Sequence, residues 1–168
     1  MGRIVKHEEI PELKAKLKKF AAGEATWAEV EGMTFEEAQA IAQVGCELAA
    51  AGRLEEARII FEGLVEGNPK DAASHAALGT VYQKLGRTTD AKEAYSAALE
   101  HDPNSVVALA YRGVLRLQAN DQNGFSDLTG AVEADPKGET TAGRRARALV
   151  EAITLMAVEA GKAARPGL

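Results

Sequence analysis

Residues 72–103 read AASHAALGTVYQKLGRTTDAKEAYSAALEHDP. Two stretches suited to helix are divided at Leu85-Gly86 and closed by Asp102-Pro103, so the segment reads as one helix–turn–helix unit. The pattern recurs on both sides. Glu66-Gly67-Asn68-Pro69, Glu100-His101-Asp102-Pro103 and Glu133-Ala134-Asp135-Pro136 share one form, with prolines 34 and then 33 residues apart. Upstream of them, Gly45, Gly79 and Gly113 are spaced 34 and 34. Gly52 matches Gly86, Ala57 matches Ala91, Phe61 matches Tyr95, and Leu64 matches Ala98. Self-similarity at this period predicts stacked helix pairs, since one pair cannot bury its own apolar face.

Each conserved slot of the period has a physical task. Gly45, Gly79 and Gly113 let the first helix of a pair (helix A) approach the second (helix B) with no Cβ between them. Ala57 and Ala91 do the same from helix B, and Phe61 and Tyr95 fill the wedge toward the next pair. Gly52 and Gly86 sit past the end of helix A, where a left-handed cap favours glycine. Pro69, Pro103 and Pro136 end helix B and can open the next segment. The third unit departs from this. Gly113 to Pro136 is one residue shorter than Gly79 to Pro103, Arg116 stands where Tyr82 stands, and the turn Asn120–Asn123 is polar and expected to be irregular. Counting back from Pro136 puts Gly124, Leu128 and Ala131 in the helix B slots.

This unit resembles the tetratricopeptide repeat, whose pattern is aromatic-x2-Leu-Gly-x2-Tyr, then Ala-x3-Phe, then Pro. Here the carriers are Leu78-Gly79-x2-Tyr82, Gly86, Ala91, Tyr95, Ala98 and Pro103. The resemblance implies an all-α, right-handed superhelical solenoid of three helix pairs, with N-terminal helices and a C-terminal capping helix. The expected boundaries are an N-terminal extension over 1–33, and repeats over 34–139 in units of 38–71, 72–105 and 106–139. A capping helix over 140–162 and a tail over 163–168 follow.

The flanks support that division. Ala142, Ala146, Leu149, Val150, Ile153, Met156, Ala157 and Ala160 recur at helical spacing. Arg144, Arg145 and Arg147 near the start of that helix read as a solvated face. At the front, Pro11–Ala22 predicts a helix with Leu13, Leu17 and Phe20 on one narrow stripe, which needs a partner in its own chain or in a second copy. Thr26-x-x-Glu29 and Thr34-x-x-Glu37 are capping boxes. The first opens a short helix bearing Trp27, and the second opens helix A of the first repeat.

A narrower likeness lies in Ala25-Thr26-Trp27-Ala28-Glu29-Val30-Glu31-Gly32-Met33-Thr34, running into Glu36-Glu37-Ala38-Gln39-Ala40-Ile41. With a leading amphipathic helix, three repeats and a closing helix, it resembles the class II (translocator) chaperones of bacterial type III secretion. The resemblance implies a small acidic cytoplasmic protein that holds an extended segment of a secreted translocator in its concave groove. It also implies a homodimer formed through the N-terminal part, with Leu13, Leu17, Phe20 and Trp27 as the dimerisation residues. The groove map that comes with it names Gln39, Ala42, Cys46 and Ala49 in the first repeat. In the second it names Ala73, Ala76, Thr80 and Gln83, and in the third Val107, Ala110, Val114 and Leu117. For Ala42, Ala76 and Ala110, groove lining and plain helix packing are both open. Where that family tends to carry tyrosines on the first helix A, this chain has Ala42 and Cys46. Repeat proteins that grip a C-terminal carboxylate need Lys and Asn at those two positions, so that clamp is absent. A small apolar lining suits an extended apolar peptide instead.

Composition agrees. Hydrophobic residues make up 46% but aromatics only 5%, which suits close-packed Ala/Leu/Val/Ile helices and makes a poor stacking platform for nucleic acid. The net charge of -5 disfavours phosphate binding. A single cysteine excludes an internal disulfide. His7, His75 and His101 are far apart and fit no metal spacing. His75, in a slot often held by Trp, reads as a packing residue. There is no phosphate loop and no nucleophile–base pair, so neither enzyme nor cofactor is expected. No stretch has the length or apolarity of a signal peptide or a membrane span. The expected partner is a polypeptide, either a secreted translocator-type protein or, for a general scaffold, a subunit of a multiprotein complex.

Overall fold

The computed structural model describes residues 10–22 and 35–163, except for the side chains of residues 10–13, 17, 20 and 161–163. Trp27 and both capping-box threonines lie outside the described residues, as do the side chains of Leu13, Leu17 and Phe20. The described residues form eight helices and no strand. These are α1 (Ile10–Ala21), α2 (Phe35–Ala50), α3 (Leu54–Gly67), α4 (Ala72–Lys84), α5 (Thr88–His101), α6 (Val106–Gln118), α7 (Asn123–Ala134) and α8 (Thr141–Ala163). Six of these helices follow one another as the pairs α2–α3, α4–α5 and α6–α7, and α8 comes after them. The chain divides into two compact units, Met1–His101 and Asp102–Leu168.

The turns inside the pairs are built alike. Gly52 and Gly86 both have φ 77°, and Asn120 has φ 58°. Asn120 lies 34 residues past Gly86, so asparagine replaces glycine at the left-handed cap. In each turn the next amide reaches back to the last turn of helix A: Arg53 to the Leu48 carbonyl, Arg87 to Tyr82, and Asp121 to Arg116, all at 2.9 Å. Asn120 keeps the 34-residue spacing, whereas Gly124 stands 33 residues past Ala91. The missing residue of the third repeat is therefore confined to 121–123, and α7 has 12 residues against 14 in α3 and α5.

In the first unit, Ile41, Val44, Leu48, Ala57, Ile60, Phe61, Leu64, Leu78, Val81 and Ala94 form the core. Ala21 joins them at 3% exposure, so α1 packs on α2 and α3 of its own chain. A Cβ on Gly45 would stand 2.8 Å from the Phe61 ring, and one on Gly79 would stand 2.7 Å from the Tyr95 ring. Both glycine–aromatic pairs are those the repeat register requires. Polar bonds tie the first repeat to the second. Tyr82 donates to Glu62 at 2.7 Å, Arg58 also donates to Glu62, and the Arg87 guanidinium lies over the Tyr82 ring at 4.6 Å. Burial first, then the bond to Glu62, pushes the Tyr82 phenol up to about 12. His75 is bonded to the Pro69 carbonyl at 2.9 Å and its ring stacks on that of His101.

In the second unit, α6, α7 and α8 share a core of Ala110, Leu128, Ala131, Ala142 and Ala146. α6 and α7 meet almost backbone to backbone, since a Cβ on Gly124 would stand 2.5 Å from the Gly113 carbonyl oxygen. Beside that contact Asp127, 6% exposed, accepts two bonds from Arg112 at 2.8 Å and one from Arg116 at 2.9 Å. The start of α8 is held by Asp135, which accepts from the amides of Glu139 (2.8 Å) and Thr140 (2.9 Å) and from the Thr140 hydroxyl (2.7 Å). Gly143 lies directly against that carboxylate and has no side chain to displace it. Arg144 and Arg145 are exposed, as a solvated face implies, and Arg147 is half-buried. Arg144 also donates to the Gly138 and Glu139 carbonyls, and Arg147 to those of Asp135 and Pro136. These arginines close the carbonyl ends of the α7–α8 turn.

The bonds from Thr140 and Glu139 hold the Asp135 carboxyl down at about 2, below its ordinary value. Between about pH 4 and that value the unfolded state binds the extra proton. The contribution of Asp135 is therefore complete above about pH 4 and is lost as pH falls through 2. The protection factors of the Glu139 and Thr140 amides, taken relative to intrinsic exchange at each pH, should fall over this range. In Asp135→Asn these amides should exchange fast already at pH 6, and unchanged protection there would show that the carboxylate does not hold the turn.

Candidate binding site

The first unit carries a hollow of about 340 Å³ between α2 and α4. Ala38, Ala42 and Cys46 lie on successive turns along one face of α2, and Ala73 and Ala77 do the same on α4. Phe61 and Leu64 of α3 also line it, and Phe35, 73% exposed, completes the α2 wall. The hollow exists because these helix A side chains are short: a leucine at 42 or 73 would occupy much of it. Asp71 is on its lining, but its carboxylate accepts from the Ala73 amide (3.3 Å), the Ser74 amide (3.2 Å) and the Ser74 hydroxyl (2.5 Å). That charge is used to cap α4. Burial pushes the Cys46 thiol up, Glu47 adds to the shift and Lys84 opposes it, so the thiol is neutral at physiological pH. What the hollow offers a ligand is apolar surface with a few polar groups, Gln39, Asn68 and Ser74, beside it.

Four of the expected groove residues, Gln39, Ala42, Cys46 and Ala73, converge on this hollow. The others are placed differently. Ala76 is 6% exposed and Ala110 2%, so both are packing positions and correct the groove map. Ala49 is half-buried against the first core. Thr80 is half-buried and turns its hydroxyl to the Ala76 carbonyl, while the Gln83 amide oxygen accepts from Tyr95 at 3.0 Å. In the second unit Val107, Val114 and Leu117 are half-buried against its core. Sequence reading missed Phe35, Ala38 and Ala77. Phe35 and Ala38 continue the Ala42–Cys46 stripe toward the N-terminus of α2, which helical spacing could have revealed. Among the described residues no His/Cys/Asp/Glu cluster could hold a metal ion. No described helix is long and apolar enough to cross a membrane.

The tetratricopeptide repeat family profile matches residues 48–120. No curated protein matches the chain by sequence. Among solved structures, PcrH from Pseudomonas aeruginosa superposes with a TM-score of 0.66 at 25% identity, over 74% of this chain and 97% of that one. PcrH in complex with the chaperone binding region of PopD gives the same TM-score and identity over 74% and 96%. SycD, the type III secretion translocator chaperone of Yersinia enterocolitica, gives 0.67 at 20% identity over 77% and 91%. The first tetratricopeptide domain of Spaghetti (RPAP3), bound to an HSP90 peptide, gives 0.64 at 15% over 75% and 97%. The repeat register, the glycine–aromatic contacts and these superpositions agree: residues 48–120 match the tetratricopeptide repeat, and the chain resembles in fold the translocator chaperones of type III secretion.

Proposed function

We infer that the protein is a peptide-binding chaperone that holds an extended apolar segment of a secreted translocator-type protein. The observation that carries this is the hollow between α2 and α4, walled by alanines and a neutral cysteine, with its carboxylate already committed to a helix cap. An extended chain presents alternate side chains to such a surface, and an apolar one has no charge to desolvate there. PcrH, similar in fold at 25% identity, is known in complex with the chaperone binding region of PopD, which supports the same use here. The holding step precedes export and therefore takes place in the cytoplasm. It makes and breaks no covalent bond, so the protein is not an enzyme on this reading.

The test is a labelled, uncharged-ended peptide with leucine or valine at alternate positions, titrated by fluorescence anisotropy. Ala73→Arg puts a long cation at the edge of the hollow from an exposed position, so the fold is spared. Ala76→Arg is unsuitable because Ala76 is buried. Affinity for Ala73→Arg should fall at least about tenfold with the helical circular dichroism unchanged. Equal affinity for both proteins would remove the hollow as the binding site. Preference for a peptide with a free C-terminal carboxylate would favour an adaptor role in a multiprotein complex instead.

A further inference from the structure

The third repeat carries a second hollow, of about 480 Å³, between the start of α6 and the end of α7. Pro103, Leu109, Gly130 and Ala134 line it, with Asp127 and Glu133. Comparison with the other repeats shows why it is open. Leu109 takes the slot of His75, and Ala134 that of His101. In the second repeat those two rings stack, with centroids 6.0 Å apart. His75 also donates from Nε2 to the Pro69 carbonyl at 2.9 Å. In the first repeat the slots hold Ile41 and Gly67. Ile41 is fully buried there, in a core that includes Ala21 of α1. In the third repeat Leu109 is only half-buried, and no ring lines the space.

The polar groups of the hollow say what fits it. Leu109 has no N–H, so the Pro103 carbonyl lacks the bond that His75 makes to Pro69. Among the described residues no other group donates to it. The exposed Glu133 carboxylate has no ion-pair or hydrogen-bond partner among the described residues. Glu133 sits in the last turn of α7, which has no basic residue, whereas the last turn of α5 has His101. The helix dipole adds to its attraction for a cation. Asp127 contributes no free charge, since Arg112 and Arg116 hold it. The cations that follow α7 are engaged as well. Lys137 pairs with Glu139 at 3.9 Å, and Arg147 donates to the Asp135 and Pro136 carbonyls. The floor is apolar: a Cβ on Gly130 would stand 3.6 Å from both Leu109 methyl carbons, so that side chain lies across Gly130. An open carbonyl, an unpaired carboxylate and an apolar floor suit a planar cation on a methylene stem. Arginine has that form, with five donors to share between the two acceptors. Lysine lacks the plane, and histidine lacks the stem and most of the charge at neutral pH.

We propose that the hollow of the third repeat binds an arginine side chain of a partner polypeptide. The guanidinium pairs with Glu133 and the Pro103 carbonyl, and the stem lies on Leu109. The contact shares no residue with the hollow between α2 and α4 and does not depend on the role proposed there. Titration of the full chain with N-acetyl-arginine methylamide, followed by amide NMR, tests it. The Asn104, Gly130 and Ala134 amides should shift and saturate, with a dissociation constant on the order of 1 millimolar. The citrulline analogue keeps the shape without the charge and should bind at least about tenfold more weakly. Glu133→Gln should weaken the arginine probe by a similar factor, and its exposed position spares the fold. Ala134→His restores the ring of the second repeat and should abolish the shifts. Any of four results would overturn the proposal: no shift of these amides at ~10 millimolar probe, citrulline bound as well as arginine, parent affinity in Glu133→Gln, or undiminished shifts in Ala134→His.

Discussion

Asp127→Ala is expected to cost the protein about 3–5 kcal/mol of stability, read from urea denaturation followed by circular dichroism. The carboxylate is 6% exposed and takes three bonds from two guanidinium groups on α6. Its removal leaves Arg112, whose side chain is 15% exposed, with a buried charge and its main partner gone. A loss of that size consumes much of the stability of a small domain. The other repeats supply a control. By the repeat register Arg112 takes the slot of Val44 and Leu78, and Asp127 that of Ile60 and Ala94. These are core residues of the first unit. The third repeat thus replaces an apolar pair with an ion pair. Arg112→Leu combined with Asp127→Ala recreates the Leu78–Ala94 pair, and should recover most of what the single change loses, since apolar replacement of a buried ion pair is often neutral or better. A single variant within about 1 kcal/mol of the parent would mean that the arginines rehydrate at little cost.

The ion pair also marks where sequence reading stops. The 34-residue period was legible because close helix pairs need the smallest residues opposite the largest at fixed positions, and Gly45–Phe61 and Gly79–Tyr95 satisfy that need visibly. Asp127 looks like any acid on a helix until its depth is known. Asn120 was read only as part of a polar turn, although its spacing from Gly86 places it at the left-handed cap. The groove map failed at Ala76 and Ala110 for a related reason. Position in the repeat gives an angle around helix A, but exposure depends on how near the neighbouring helices stand. At Ala42 and Ala73 they leave a hollow; at Ala76 and Ala110 they leave almost nothing. The stripe that predicted α8 continues past its core, and periodicity alone cannot tell a covered turn from an uncovered one.

Gly79→Leu should be among the most destabilising single changes in the first unit. Two effects oppose each other there. Leucine is the better helix former, and that term favours the variant by up to about 1 kcal/mol. Against it, even a Cβ would stand 2.7 Å from two carbons of the Tyr95 ring, and leucine adds three more carbons in that direction. The ring cannot simply swing away. It is fully buried, and its hydroxyl donates to Gln83 at 3.0 Å and to Thr80 at 3.3 Å. Either the α4–α5 contact opens or Tyr95 leaves its site and abandons those bonds. Overpacking of this kind costs about 1–3 kcal/mol or more, which exceeds the gain in propensity. Gly52→Ala is the matched control, because nothing lies within 4 Å of its Cβ and only the φ of 77° is unfavourable. That strain should cost about 1 kcal/mol. Urea denaturation of the two variants should therefore place Gly79→Leu clearly below Gly52→Ala. The reverse order would mean that α4 and α5 do not meet at Gly79. Every assignment that hangs on the register, including the small-walled hollow beside α4, would then have to be redrawn.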